Sequence, residues 1–203
     1  NAGEMEILKL RVFFNHPGFI GPFVEGAGKA LAEFAGKKTK LLCTAHSIPL
    51  SMAPDQRYLP QLRETSRLVA EGAGHADWEL VYQSRSGPPT QPWLEPDVCD
   101  RMRQLAAEGY EAVVVVPVGF VSDHLEVLYD LDTEAKTLAT ELGMAFARVA
   151  TPGTDMRFVR MVRDLVLERR EGAKPVALGA VGPSHDVCPA DCCPAPARPR
   201  PIH

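Results

Sequence analysis

The stretch Ala112-Val-Val-Val-Val-Pro-Val118 restricts this chain more than any other segment. It carries no polar side chain and is mostly β-branched, which makes it a poor helix and a strand that is apolar on both faces. A strand of that kind must be covered from both sides, as in the parallel sheet of a layered α/β protein. Three more short apolar runs, at residues 40–45, Trp78–Gln83 and residues 145–150, recur along the chain. Around them lie amphipathic segments at about 17–36, 56–72, 96–109, 123–143 and 155–172. Several of these end at Gly, the usual residue just past a helix, and Asp155 stands where an N-cap belongs. The alternation predicts an α/β fold: a parallel four-stranded sheet with flanking helices on both faces, a Rossmann-like lobe. In such sheets ligands bind beyond the carboxyl ends of the strands. The residues after each apolar run are therefore where chemistry is expected.

With 203 residues, 45% of them hydrophobic and 24% charged, the chain has the composition of a globular protein. Its net charge of -4 leaves no basic footprint for nucleic acid. No apolar run approaches the roughly 20 residues of a spanning helix. Nor does a charged region followed by an apolar one open the chain, so a cytoplasmic monomer is expected. The first residues, Asn-Ala-Gly-Glu, include no initiator Met, as expected of processing or of a fragment. Five cysteines are spread unevenly: Cys43 and Cys99 stand alone, while Cys188, Cys192 and Cys193 crowd together. An odd count without a secretory signal argues against a disulfide framework and for a thiolate metal or cluster site in a reducing compartment. The tail from Pro175 onward is rich in Pro, Ala and Gly and has no periodicity, so it is either disordered or ordered by something other than a core.

After the first apolar run comes Thr44-Ala-His46-Ser-Ile-Pro49. Imidazole is both a ligand for borderline divalent metals and a proton acceptor near neutral pH, so His46 is either such a group or a surface His without a role. The second run leads into Gln83-Ser-Arg85-Ser-Gly-Pro88 and then Pro92-Trp93-Leu-Glu95-Pro96, a long loop shaped by Gly and Pro. Arg85 offers a planar fork for a carboxylate, and Trp93 a flat face for a flat ligand or a staple for the loop. The third run leads to Gly119-Phe-Val-Ser122-Asp123-His124-Leu-Glu126, which opens a helix. The helix dipole explains an acid in its first turn. It does not explain the recurrence of Glu126, Asp130 and Glu134 at i, i+4 and i+8, a file of oxygen ligands along one face. Asp123, His124 and Asp132 add ligand capacity nearby. Together these strand ends read as a divalent-metal site beside a flat, carboxylate-bearing ligand.

These segments resemble the ferrochelatase family. Thr44-Ala-His-Ser-Ile-Pro is similar to its Ser-Ala-His-Ser-Leu-Pro signature, Gln83-Ser-Arg-Ser-Gly-Pro with Trp93-Leu-Glu-Pro to its central loop, and Gly119-Phe-Val-Ser-Asp-His-Leu-Glu-Val-Leu-Tyr-Asp to its most recognisable block. Phe14-Asn-His-Pro-Gly18 is similar to the segment ahead of them, and the matches are collinear. The resemblance implies that His46 and Glu126 are catalytic and face the centre of a porphyrin, where His46 binds incoming Fe²⁺ or accepts a pyrrole proton. It implies that Asp130 and Glu134 guide the hydrated substrate ion, and that Trp93, with Arg85, Ser122 and His124, lines the porphyrin cleft. The family's fold has two similar lobes around that cleft. The resemblance therefore implies a helical bridging segment at 1–36 leading from a first lobe that this chain lacks, the second lobe at 37–172 and a Pro/Cys-rich tail at 173–203. The missing lobe would supply the opposite cleft wall.

The tail Cys188-Pro-Ala-Asp-Cys192-Cys193 resembles extensions that carry a [2Fe–2S] cluster in some family members. Such clusters take four thiolates, so the resemblance leaves a fourth to be found among Cys99, Cys43 and the absent lobe; zinc is the competing metal. The same features resemble enzymes of high-GC Gram-positive bacteria that act on coproporphyrin III rather than protoporphyrin IX. Two rival readings stand beside this one. A sirohydrochlorin-type cobalt or iron chelatase is typically shorter and lacks the loop at Gln83. A non-enzymatic metal or haem binder is expected if the first lobe was truly lost.

Overall fold

A computed structural model of the chain describes residues 7–53, 57–88 and 90–187. Its element order is α1 (Pro17–Glu33), β1 (Thr39–His46), α2 (Tyr58–Gly72), β2 (Trp78–Gln83), α3 (Val98–Ala107), β3 (Ala112–Val116), α4 (Leu125–Val127), a π-helical stretch (Leu128–Ala135), α5 (Lys136–Glu141), β4 (Ala145–Arg148) and α6 (Met156–Glu171). The four strands form one all-parallel sheet in the order β2-β1-β3-β4, as the alternating pattern predicts.

All five residues of β3 are fully buried. The strand stops at Val116 rather than at 118 because Pro117 has no N–H to continue the ladder. Alternating side chains divide the core between the two faces of the sheet. Leu41, Cys43, Ala45, Val114 and Val116 pack with Phe19, Ile20 and Phe23 of α1 and Met161 and Leu165 of α6. Leu42, Val113 and Val115 pack on the other face with Met102 and Leu105 of α3 and with Val127 and Leu131. Each such large side chain contributes about 1.5–3 kcal/mol on burial. Asp155 caps α6 by accepting from the Arg157 N–H, and Gly172 ends that helix in the left-handed region at φ 68°, both as the sequence predicts.

The segment expected as one helix at 123–143 is three. Val127, Leu131, Ala135 and Ala139 are all buried, a strict four-residue period on the core side, and Glu126, Asp130 and Glu134 repeat the same period beside them. An α-helix turns 100° per residue, so over twelve residues a four-residue row drifts by about 120° around it. A π-helical stretch winds more widely and cancels that drift. The period of four rather than 3.6 in both rows is the sequence sign of this winding.

The described part of the tail is ordered by hydrogen bonds rather than by a core. Arg11 forms a two-point pair with Glu168, Nε to Oε2 at 2.6 Å and Nη2 to Oε1 at 3.0 Å, and donates to the Val176 carbonyl at 2.9 Å. The Asn15 amide donates to the carbonyls of Leu178 and Gly182 at 3.2 and 2.8 Å. Arg11 and Glu168 are both buried.

Burial alone would push the Glu168 carboxyl up, but the Arg11 guanidinium outweighs it and holds the group below its ordinary value of 4.5. A carboxyl depressed on folding stabilises the fold above its ordinary value, and that contribution is lost as pH falls through the depressed one. Denaturant melts are expected to show this contribution intact above about pH 5 and failing below it. Glu168→Gln strands a buried cation, so it should cost about 3–5 kcal/mol near neutrality and remove that acid limb.

Candidate active site

Parallel strands bring their carboxyl ends to one edge of the sheet, and the predicted residues gather there. His46 is the last residue of β1, in register with Gln83 of β2. Its carbonyl accepts from the Tyr58 hydroxyl at 2.7 Å. Burial pushes the Tyr58 phenol up to about 12, so it stays protonated as a donor. Ser47 is buried and ties two loops together: its N–H donates to the Gln83 carbonyl at 2.8 Å and its hydroxyl to the Leu94 carbonyl at 2.9 Å. Beyond it the two loops run as a short antiparallel ribbon, with Leu94 N–H on the Ile48 carbonyl and Leu50 N–H on the Pro92 carbonyl. The third loop reaches the same place through Gly119, whose N–H donates to the Thr44 carbonyl at 3.0 Å. A Cβ at Gly119 would lie 2.7 Å from Ala45 Cβ, so only glycine allows this approach.

The imidazole of His46 has its Nδ1 on the carbonyl of Ser47. A carbonyl only accepts, so Nδ1 carries a proton and Nε2 is the nitrogen left for chemistry. Nε2 lies 3.2 Å from Glu126 Oε1, with both side chains partly open to solvent. The two residues predicted to be catalytic therefore meet.

The acid file continues differently. Asp130 Oδ2 accepts from Gln83 Nε2 at 3.1 Å and from the Ser84 hydroxyl. Ser84 reaches it from a left-handed backbone at φ 62°. Gln83 is buried, and its Oε1 has no partner among the described residues. Asp130 and Glu134 line a cleft of about 550 Å³ between α3 and the π stretch, with Gln83, Ser84, Cys99 and Arg103. Arg85 is exposed at its rim. Among the described residues, no group of three or more His, Cys, Asp or Glu side chains is arranged to hold a metal ion.

Other predicted residues stand apart. Arg148 takes up Asp132 in a two-point pair at 2.7 and 2.8 Å and Asp123 at 3.0 Å, so neither acid supplies the ligand capacity expected from the sequence. His124 is exposed and packs its ring against Phe120, 5.4 Å between centroids, and Ser122 is exposed beside it. Trp93 is half-buried, with its Nε1 buried and unpartnered among the described residues. A Cβ added to Gly87 would fall 2.1 Å from its Cζ2, so glycine there makes room for the indole.

Neither described cysteine is a prepared thiolate. Cys43 is buried in the sheet and pushed up to about 12, and Cys99, at the cleft, is pushed up to about 11 by burial and by Asp97 and Glu134. Cys188, Cys192 and Cys193 lie outside the described residues. Sequence reasoning missed Tyr58, Ser47, the Gln83 and Ser84 side chains and Arg148. Of these, only Gln83, a long polar residue closing an apolar run, left a signal.

A parallel lobe with a His–carboxylate pair and an acidic file at its strand ends is a chelatase-type lobe. It is similar in fold to a multi-domain protein of Deinococcus radiodurans, DR2241, described as structurally similar to chelatases: TM-score 0.50, 17% identity, covering 79% of this chain and 31% of that one. The chain belongs to the ferrochelatase family, whose model matches residues 1–170. It is 52% identical over 196 residues to the ferrochelatase of Rhodopirellula baltica, covering 94% of this chain and 56% of that one. It is 48% identical over 221 residues to the coproporphyrin III ferrochelatase of Streptomyces coelicolor, covering 97% and 58%. For the coproporphyrin III ferrochelatase of Mycobacterium ulcerans the figures are 46% over 200 residues, 96% and 57%. The chain thus spans a little over half the length of these relatives.

Gly87→Ala in a Trp78→Phe background leaves Trp93 as the one tryptophan of the chain. The added methyl is expected to expel the indole, shift its emission to the red and cost about 1–3 kcal/mol. Unchanged emission would mean that the loop adapts around the methyl.

Proposed function

We propose that this chain forms the metal-inserting wall of a ferrochelatase, placing Fe²⁺ into a porphyrin for haem synthesis. The observation that carries this reading is the His46–Glu126 contact, 3.2 Å from Nε2 to Oε1 at the carboxyl ends of the sheet. Metalation must strip water from Fe²⁺ and remove two pyrrole protons, so it needs a ligand and a base at one place. His46 Nε2 serves as either, but not both at once. With a proton it pairs with the Glu126 carboxylate; without one it offers a lone pair to the metal. Arrival of Fe²⁺ and departure of a proton are thereby linked, and Glu126 receives or passes the proton. Asp130 and Glu134 deliver the hydrated ion along the cleft. Asp130 does so from the grip of Gln83 and Ser84, which keeps its carboxylate aimed as the ion passes.

In this reading Trp93 and Arg85 from the second strand-end loop, with Ser122 and His124 from the third, line the porphyrin side of the wall. Residues 37–172 are the second lobe, residues 1–36 bridge from a first lobe that closes the opposite wall, and the protein works as a cytoplasmic monomer. The relatives named coproporphyrin III ferrochelatase support coproporphyrin III as the ring. The tail at 173–203 carries a [2Fe–2S] cluster on Cys188, Cys192 and Cys193, and no step of the reaction is routed through it. Burial within the sheet speaks against Cys43 as the fourth thiolate. An anaerobically isolated protein is expected to show iron–sulfur bands in its visible spectrum; a featureless spectrum overturns the cluster.

Anaerobic Fe²⁺ or Zn²⁺ insertion, followed by absorbance, tests the main reading. It is run with coproporphyrin III and protoporphyrin IX, on this chain and on the chain joined to a ferrochelatase first lobe. The joined protein is expected to prefer coproporphyrin III and to lose about 10²–10⁴-fold in rate with His46→Ala. Full activity in that variant rules His46 out of the chemistry.

A further inference from the structure

We propose that the segment 175–187 is a latch that positions His46 from outside the cleft, acting through Arg57 and Tyr58. The proposal rests on His46 being the metal-binding residue of the reaction above. Beyond α6 the described residues add nothing to the sheet, yet they return past the segment ahead of α1 and over α2 along a defined course. Val176 is held at both backbone groups, its carbonyl by Arg11 at 2.9 Å and its N–H by Glu168 Oε1 at 3.3 Å. Leu178 N–H donates to the Asn15 carbonyl at 2.8 Å, and the Asn15 amide returns a bond to the Leu178 carbonyl. Farther on, Val181 lies against the groove lined by Pro60, Arg63 and Trp78. The course ends where Arg57 Nη1 meets the His185 ring, 3.1 Å from Nδ1 and 3.4 Å from Nε2.

Arg57 is the residue ahead of α2, and its covalent neighbour Tyr58 is the first residue of that helix. Tyr58 holds the His46 carbonyl at 2.7 Å. His46 is gripped at two points, its carbonyl by Tyr58 and its Nδ1 by the carbonyl of the next residue. Turning the peptide at His46 therefore turns the ring and moves Nε2 relative to Glu126. A strand-end carbonyl facing water needs no particular donor. Here the donor is a half-buried phenol whose helix end is tied by a side chain to a segment 128 residues away. That linkage makes the aim of Nε2 depend on whether the latch is seated. Tyr58, Arg57 and His185 are positioning residues and touch no substrate.

The test uses the 203-residue chain labelled with ¹⁵N, reading imidazole nitrogens by long-range ¹H–¹⁵N spectra, with His46 assigned from His46→Ala. Zn²⁺ alone is the titrant. Tyr58→Phe and His185→Ala are each expected to shift the His46 ring resonances and weaken Zn²⁺ binding at His46 by roughly tenfold. The double variant should be no worse than the more affected single one, since both act along one path. The proposal is overturned if His46 resonances and Zn²⁺ affinity stay unchanged in His185→Ala, which removes a side chain outside the hydrophobic core and is the variant that decides if Tyr58→Phe fails to fold. It is equally overturned if the two variants weaken binding additively. Because none of these readouts needs porphyrin, a first-lobe fusion that fails to metalate while the resonances respond would overturn the ferrochelatase reading and leave the latch standing.

Discussion

The carboxyl end of β1 is held by backbone bonds to both of its neighbours, and the arrangement of the site follows from that. Ser47 N–H reaches the Gln83 carbonyl on one side, and Gly119 N–H reaches the Thr44 carbonyl on the other. Bonds between buried main-chain groups are costly to leave unmade, so the three strand-end loops cannot part without exposing or orphaning them. Chemistry carried on loops is ordinarily mobile. Here β1 lies inside the sheet between β2 and β3, so His46, its last residue, is joined directly to the core.

Much of the lobe was legible because the core writes it as pattern. A β-branched run apolar on both faces has one comfortable setting, and β3 occupies it. Caps were legible for a similar reason, since Asp155 and Gly172 are residue types with a local conformational job. The parts that were not legible depend on partners distant in sequence. Nothing in the neighbourhood of Asp123 or Asp132 says that Arg148, at the end of β4, will claim both. Serine at 84 gives no sign that it takes a left-handed backbone. The tail offered composition only, and composition does not disclose that Arg11 and Asn15 will hold its first turns.

The site divides its work between exposed and buried groups. His46 and Glu126 are open enough to exchange protons with water, whereas Gln83 and Ser47, which set their surroundings, are closed off. A hydrogen bond made away from water is stronger and its absence more costly than at the surface. Orientation is thus stored where solvent does not compete, and the His46–Glu126 pair is displayed where solvent reaches it. Gln83, which lines the acidic cleft, keeps a buried Oε1 without a partner among the described residues.

The π-helical stretch at Leu128–Ala135 has a consequence for how this region tolerates change in length. It keeps two rows in step, one apolar and inward, one acidic and outward, like two gear tracks cut on a single shaft. Substitutions alter one tooth. At four residues per turn the twelve steps from Val127 to Ala139 make about three turns, and with one residue removed the eleven that remain, at about 100° each, come within about 20° of the same angle. A one-residue deletion between Glu126 and Glu134 therefore lets the stretch relax to an α-helix with both tracks still near phase beyond it, whereas a one-residue insertion has no such outlet. Length is buffered here in one direction only.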